Sequence, residues 1–472
     1  MIQKVTDAEI KRQKDVSAKI KELNNGKKLT ACVVTLGCVQ NENDSERIRG
    51  MLSDMGYEMC NNSKTADVVI FNTCAVRENA ELKVFGFLGA LKNIKKERPE
   101  MLIGICGCMI QQNHIVERIK SRYKHVDMIF GTHSLHRFPQ IMYAAMQKRV
   151  VDVEDVDGYV AENISRVRGS GIVASVSVMY GCNNFCSYCI VPYVRGRERS
   201  RSHTDILAEC EGLAAQGYKE ITLVGQNVNS YGKDCGEMDF ADLLHLVSEI
   251  DGIERIRFVS VHPKDITDKL IAEMASNPKI CKQLHVPLQS GSTKVLKDMN
   301  RKYSKEQYLA LIDKIRTAMP GLAISTDIIV GFPTETNEDF ADTLDVVKKV
   351  GYDMVYNFIY SRRNGTPAAK MDFVLSEQEI KRNFDELVET QAQILHDINM
   401  KLQDTVVEVL VEGKSRTDDT MLTGRTTENK VVNFSGSEEN IGKIVNVKIT
   451  KAQTWALTGE IILKGEYKNE RI

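Results

Sequence analysis

"IVASVSVMYGCNNFCSYC", residues 172–189, runs from an apolar β-type stretch straight into a loop that holds Cys182, Cys186 and Cys189. The run at 172–178 is the first of six apolar segments, the others being "EITLVG", "RIRFVSV", "LHVPL", "AISTDIIVGF" and "DMVYNFIY". Helical stretches such as "YSKEQYLALIDKIRTAM" separate most of them. Repeated strand–helix units predict a parallel βα barrel or partial barrel rather than an open sheet. Active sites of such barrels form beyond the carboxyl ends of the strands, which places the three-cysteine loop at the mouth. A structural zinc site or a ferredoxin-type cluster takes four protein ligands, and this loop offers three thiols. A cluster held by three cysteines leaves one iron open to a small ligand.

Upstream, "TACVVTLG", "ADVVIFN", "MLIGIC" and "VDMIFG" alternate with amphipathic stretches between about residues 30 and 150. That alternation predicts an N-terminal parallel α/β sheet domain. Three of its runs end in cysteine, at Cys38, Cys74 and Cys108, with intervals of 36 and 34 residues. Each interval suits one strand plus one crossover helix. On neighbouring parallel strands the three thiols share the sheet edge where open α/β sheets bind ligands. Spacing alone leaves a common metal site and three separately buried cysteines equally open.

The remaining segments complete the plan. Residues 1–29 read as a charged N-terminal extension, and 151–171, with "VDVEDVDGYVAEN" and "RVRGSG", as a linker. The barrel domain spans 172–402 and closes with the long helix "SEQEIKRNFDELVETQAQILHDINMKLQ". From 403 to 472, short strands with turn residues between them predict a small all-β barrel of five strands. Three domains suit 472 residues.

With 63 basic and 64 acidic residues, the chain has no global pull toward nucleic acid or membrane, so any RNA contact must be local. No stretch approaches the ~18 apolar residues of a membrane span, and the first residues lack a signal-peptide core. The expectation is a cytosolic protein, monomeric since no apolar stripe is left over. Twelve cysteines in such a chain point to metal ligands or catalytic thiols rather than disulfides. Isolated ones, such as Cys32 and Cys60, read as small buried apolar residues.

The spacing CxxxCxxC, with Tyr188 before the last cysteine, resembles the signature of radical S-adenosylmethionine enzymes. "TLGCVQNENDSE", "NTCAVRENA" and "GCMIQQ" are similar to the three cysteine motifs of the methylthiotransferase family. The resemblance covers about residues 30 to 465: a cluster domain, a radical S-adenosylmethionine partial (β/α) barrel, then a small OB-like barrel called TRAM. It implies one 4Fe-4S cluster on Cys182, Cys186 and Cys189, where S-adenosylmethionine chelates the open iron. It implies a second 4Fe-4S cluster on Cys38, Cys74 and Cys108, with Cys108 favoured over Cys106. It also implies S-adenosylmethionine in two roles, radical source and methyl donor, and an electron donor such as flavodoxin or ferredoxin.

"VPYVRGRERSR", after the radical loop, resembles the branch that methylthiolates carbon two of isopentenylated adenosine beside the tRNA anticodon. Other branches act on threonylcarbamoyladenosine or on an aspartate of a ribosomal protein. A reading from another class is an iron–sulfur electron carrier or a redox-regulated RNA-binding protein.

Polar residues at strand ends are candidates for holding S-adenosylmethionine: Gln226 and Asn229 of "GQNVN", Gln289 of "LQSGS", Ser325 and Asp327 of "STD". The competing reading has them cap the helices that follow. Arg195, Arg197, Arg199 and Arg201 of "RGRERSR" are candidate RNA contacts, because guanidinium groups match phosphates and stack on bases. Residues 401–472 carry 11 Lys or Arg and 11 Asp or Glu, so only a one-sided arrangement, with Arg425, Lys430 and Lys448, makes an RNA face there.

Overall fold

The computed structural model describes residues 4–76, 78–154, 158–169, 171–236, 238–416 and 418–462. Residues 463–472 of the last expected unit lie outside the described residues.

The first domain is a six-stranded sheet of β1 (Thr30–Leu36), β2 (Glu58–Met59), β3 (Val68–Thr73), β4 (Leu102–Gly107), β5 (Met128–Phe130) and β6 (Val150–Asp152). The strand order is β2-β1-β3-β4-β5-β6 and every pairing is parallel. β3 is buried along its whole length, as a strand covered by helices on both faces must be. One face packs around Val69, Phe71, Ile103 and Ile105, the other around Val68, Ile70, Met128 and Phe130. The order of strands reverses between β1 and β3, which makes a switch point of the kind where open α/β sheets bind ligands.

Two expected boundaries are corrected. The N-terminal extension is largely a helix, Asp7–Leu23, capped by the Thr6 hydroxyl, and it seats Ile20 in the core beside Leu52 and Phe138. It belongs to the first domain. The described part of the linker is a packed strap: Val167 N–H donates to Glu46 O at 3.0 Å. Arg166 and Arg168 both reach Glu209 at 2.6 Å. A side chain at Gly50 would meet Ser165 O at 2.2 Å, so the strap lies directly on the helix Val39–Asp54.

The middle domain contains β7 (Val173–Ser177), the short β8 (Met179–Tyr180) and β9 (Arg199–Ser200), then β10 (Glu220–Val224), β11 (Arg255–Phe258), β12 (Gln283–His285), β13 (Ala323–Val330) and β14 (Met354–Ile359). The sets β11-β10-β7 and β12-β13-β14 are parallel, and a bridge from Ile256 to Ile280 joins them into the expected partial barrel. Its helices start where the sequence signals them. Capping boxes at Ser304/Gln307, Thr336/Asp339 and Ser376/Glu379 open the helices Lys305–Ala318, Asn337–Val350 and Glu377–Met400.

The last domain is a closed barrel of β15 (Val406–Lys414), β16 (Leu422–Arg425), β17 (Val431–Ser435), β18 (Ile444–Ala452) and β19 (Leu457–Ile461), around Val409, Phe434, Val447 and Ile449. Its β16–β17 turn docks on the amino-terminal ends of the middle-domain strands. Arg257 donates to Thr426 O at 2.6 Å and Thr427 O at 3.0 Å, and its Nε is held by Glu220 at 2.8 Å. Arg255 donates to Arg425 O at 2.7 Å, and Lys430 pairs with Asp353 at 2.7 Å. Among the described residues no helix is long and apolar enough to cross a membrane.

Candidate active site and its two cysteine trios

The loop 181–198 leaves and re-enters through a two-residue antiparallel ladder, Met179↔Ser200 and Tyr180↔Arg199. Gly181 sits at φ +77° beneath the loop, and its N–H donates to Gln226 Oε1 at 2.5 Å. The loop is pinned from two other elements. Asn300 donates to Phe185 O at 2.8 Å, Ser187 Oγ to Asp298 O at 2.7 Å, and Ala368 N–H to Ser187 O at 2.9 Å. Phe185 takes a left-handed backbone, φ +46°, between the first two cysteines, a strained conformation of the kind that surrounding contacts impose at functional sites.

Burial pushes the Cys182 thiol up to about 11 and the Cys189 thiol up to about 12, which makes them poor free nucleophiles and leaves deprotonation to a bound metal. Nitrogen donors nonetheless point at the sulfurs: Asn184 Nδ2 at 3.4 Å from Cys182 Sγ, and Arg301 Nη1 at 3.6 Å from Cys186 Sγ.

The second trio lies along one edge of the first domain's sheet. Cys38, Cys74 and Cys108 each follow immediately after β1, β3 and β4, three adjacent strands. Gly107 at φ +98° turns the chain so tightly that a Cβ there would lie 2.4 Å from Thr73 O, and Cys108 is carried out of the sheet as a result. Cys38 opens the helix Val39–Asp54, its N–H bonded to Asn41 Oδ1. A hydrogen bond shared by the Cys38 and Cys74 thiols brings Cys38 down to about 5 and drives Cys74 up. Val76 N–H donates to Cys74 Sγ at 3.3 Å, and Arg195 Nε to Cys108 Sγ at 3.0 Å. Burial pushes Cys108 up, with the Arg195 charge opposing.

Cys106 is placed differently from Cys108. It lies within β4, paired between Asn72 and Phe130, and packs in the core with Ile70 and Met128. Cys32 is a core residue, and Cys60 packs against the same cluster.

Among the described residues, no three His, Cys, Asp or Glu side chains are gathered tightly enough to hold an ion as they stand. The donor chemistry fits thiolate-bound clusters all the same: each trio is an all-sulfur set on one loop or one sheet edge, with N–H groups aimed at the sulfurs. Hydrogen bonds to sulfur are among the levers that set a cluster's properties.

The two trios meet. Ile190 and Val194, in the turn and short helix after the radical loop, pack against Ala75 and Cys108. Asp44 holds Arg195 at 2.7 Å, Thr132 donates to Val194 O at 2.9 Å, and Arg363 donates to Val76 O at 2.7 Å. Gln40 and Asn43 bond Ser177 Oγ of β7, and Arg47 bonds the Tyr180 hydroxyl.

The S-adenosylmethionine candidates divide. Ser325 and Asp327 are two apart in β13, so they share its lumen-facing side. His285, which the sequence reading passed over, joins them: Nδ1 lies 3.0 Å from Ser325 Oγ and Nε2 3.3 Å from Asp327 Oδ2. Its signal was the alternation in "LHVPL", which puts a polar residue on the buried strand's inner face. Gln289, φ +71°, is bridged to β13. Gln226 is spent on Gly181. Asn229 is spent as well, clasping His262 with both ends of its amide at 3.0 Å.

The arginine run is corrected more sharply. Arg201 is buried against Glu162 at 2.7 Å and Glu209 at 2.9 Å, Arg199 is buried over the carbonyls of Arg195 and Arg197, and Arg195 is buried at the domain boundary. All three are bonded within the protein rather than presented on its surface. Arg197 alone is exposed, 4.4 Å over the Phe185 ring, which in turn meets the exposed Tyr193 edge-on. In the last barrel Arg425 pairs with Glu412 at 3.2 Å and Lys430 is committed to Asp353, which leaves Lys448 exposed.

Three family models match in sequence: "Uncharacterized protein family UPF0004" over 30–131, "Radical SAM superfamily" over 176–347 and "TRAM domain" over 401–462. A tRNA-2-methylthio-N(6)-dimethylallyladenosine synthase of Acetivibrio thermocellus is 55% identical over 97% of each chain. The chain belongs to this synthase family. Members named identically are 50% identical in Alkaliphilus oremlandii, over 97% of this chain and 98% of that one, and 51% identical in Clostridioides difficile, over 93% and 92%.

As a member of the synthase family the chain is a tRNA methylthiotransferase of the radical S-adenosylmethionine type, which implies a 4Fe-4S cluster and S-adenosylmethionine. The threonylcarbamoyladenosine and ribosomal-protein branches are not favoured. The solved structure of the radical S-adenosylmethionine methyltransferase TsrM from Kitasatospora setae, with cobalamin and a 4Fe-4S cluster bound, shares the fold: TM-score 0.51 at 15% identity, covering 72% of this chain and 77% of that one.

Proposed function

We propose that this chain adds a methylthio group to carbon two of isopentenylated adenosine beside the anticodon of tRNA, the isopentenyl group being the dimethylallyl group of its relatives' name. The observation that carries the reading is the packing of Ile190 and Val194, which continue the Cys182–Cys189 loop, on Ala75 and Cys108 at the other trio's sheet edge. Carbon two of adenine bears an inert hydrogen beyond the reach of any side-chain base, and bound 4Fe-4S clusters with S-adenosylmethionine supply the radical, sulfur and methyl chemistry it needs.

The chain's own residues divide the remaining work. Cys182, Cys186 and Cys189 would hold one cluster, which with S-adenosylmethionine would supply the radical. Cys38, Cys74 and Cys108 would hold the other, which with S-adenosylmethionine would supply the methylthio group. Ser325, Asp327 and His285 offer polar groups on the inner face of the barrel to the cosubstrate, and Gln226 sets the loop through Gly181. Arg197 with Phe185 and Tyr193 makes an aromatic and cationic rim suited to unstacked RNA bases. Lys448 and Arg425 extend RNA contact to the last barrel. The protein works as a cytoplasmic monomer fed electrons by a flavodoxin or ferredoxin.

Anaerobically reconstituted protein should carry roughly eight irons per chain, two cubanes. Mass spectrometry of tRNA nucleosides decides the substrate. The 2-methylthio-isopentenyladenosine should vanish in a strain lacking the gene and return with it; an unchanged level overturns the reading.

A further inference from the structure

We propose that Arg301 is a positioning residue that favours the electron on the Cys182, Cys186 and Cys189 cluster, while at the other cluster Asp44 cancels the charge of Arg195. The inference rests on the two-cluster reading.

Each trio has one buried guanidinium against one sulfur. Arg301, 7% exposed, has Nη1 3.6 Å from Cys186 Sγ, Nη2 donating to Pro287 O at 2.8 Å and Nε to the Tyr303 hydroxyl at 2.9 Å. Arg195, 6% exposed, has Nε 3.0 Å from Cys108 Sγ. The resemblance ends with the second partner. Arg195 meets the Asp44 carboxylate at 2.7 Å, so the pair is near neutral. Arg301's hydrogen-bond partners are a carbonyl, a phenol and a sulfur, none of which carries a charge of its own while the thiol is protonated.

A buried cation without a compensating anion is costly. Thiolates at Cys182, Cys186 and Cys189 supply the missing negative charge. An added electron makes that charge larger, and a guanidinium held in a low-dielectric setting favours it. A purely structural role explains Arg195, as a buried ion pair across the domain boundary. It does not explain why Arg301 is buried with no acid among its partners in the described residues. The asymmetry orders the clusters: at a common poise the radical loop's cluster takes the electron first.

The test uses the full-length chain, reconstituted anaerobically, with each cluster observed where the other trio is alanine. One electron per cluster is supplied by dithionite, and the reduced fraction is followed by electron paramagnetic resonance against poised mediators. Arg301→Gln should lower the reduced-to-oxidised ratio of the Cys182, Cys186 and Cys189 cluster about tenfold at fixed poise, about 59 mV for a one-electron couple. Asp44→Asn should raise that of the Cys38, Cys74 and Cys108 cluster by a similar factor. Each should leave the other cluster in place. Arg301→Lys, which keeps the charge, should stay within threefold of the parent and serves if Arg301→Gln does not fold. Unmoved ratios, or both clusters moving together with either substitution, would overturn the inference. A parent chain that takes up only one cluster would instead overturn the two-cluster reading beneath it, and iron and sulfide counts show which has failed.

Discussion

Gly181 and Arg197 stand so close that a side chain on the first would place its Cβ 2.0 Å from the carbonyl oxygen of the second. Backbone meets backbone there, at the point where the cysteine loop closes on itself, and φ at Gly181 is +77°.

Gly181→Ala should therefore distort the radical loop and spare the sheet-edge trio. Iron per chain is expected to fall from roughly eight to roughly four, with the secondary structure unchanged by circular dichroism. Retention of full iron would show that the loop tolerates the displacement.

Asn229 and Asp327 began as equal candidates for the cosubstrate and should now separate. Asn229→Ala leaves the His262 N–H unsatisfied, since the His262 carbonyl keeps the Asp265 N–H, a loss of about 1–3 kcal/mol in urea unfolding, with S-adenosylmethionine affinity of the folded fraction unchanged. Asp327→Asn should do the reverse. Equilibrium dialysis beside denaturation curves distinguishes them, and a weakened affinity in the Asn229 variant would restore it to the binding site.

Arginines four residues apart should behave as different kinds of residue. Arg197→Ala should weaken tRNA binding by about 1 kcal/mol, roughly fivefold, and flatten its salt dependence by about one charge, without loss of stability. Arg201→Ala strands Glu162 inside the protein and should cost about 3–5 kcal/mol of stability. Filter binding across a salt series, together with thermal melts, checks both.

Burial pushes the Glu335 carboxyl up to about 8, while the Gly331 N–H at 2.6 Å pulls against it. A carboxyl that titrates higher folded than unfolded, where about 4.3 is ordinary, binds more protons in the folded state between the two values. Stability must fall as pH rises through that window, by up to roughly 1.4 kcal/mol per pH unit. His262, held by burial at about 2, acts in the opposite sense below its unfolded value of about 6.5. Glu46, raised by burial to about 7, and Cys38, brought down to about 5 by the Cys74 thiol, also titrate in or near this range. The difference between variant and parent is therefore what isolates the Glu335 carboxyl in the interval from pH 6.5 to 8. Glu335→Gln should gain on the parent steadily across it in urea melts; parallel curves would remove Glu335 as the cause.

The cysteines were legible because their signals are local or repeat with the strand–helix unit. Three thiols on one loop need no tertiary information, and intervals of 36 and 34 residues place Cys38, Cys74 and Cys108 on adjacent strand ends. What joins the trios was not legible. The polar start of the helix Val39–Asp54 gives no local sign of burial, yet Gln40, Asn43, Asp44 and Arg47 are buried, because their partners Ser177, Ser175, Arg195 and Tyr180 lie far along the chain. "RGRERSR" misled for the same reason. A charge run looks like a solvated face until Glu162 and Glu209 are seen around it. His285 was hidden inside an apolar run and declared itself only through Ser325 and Asp327.

Docking the β16–β17 turn on the amino-terminal strand ends makes the middle barrel a gauge. β13, the longest strand of that barrel, has eight residues, about 26 Å at roughly 3.3 Å per residue. The cysteine loop stands at one end of this length and the turn with Thr426 at the other. A ligand that offers a base to the loop and also touches the last domain has to reach the full distance along the outside. A free nucleoside meets the first condition and is too short for the second, so on the proposed reading the distance between the two ends selects by length.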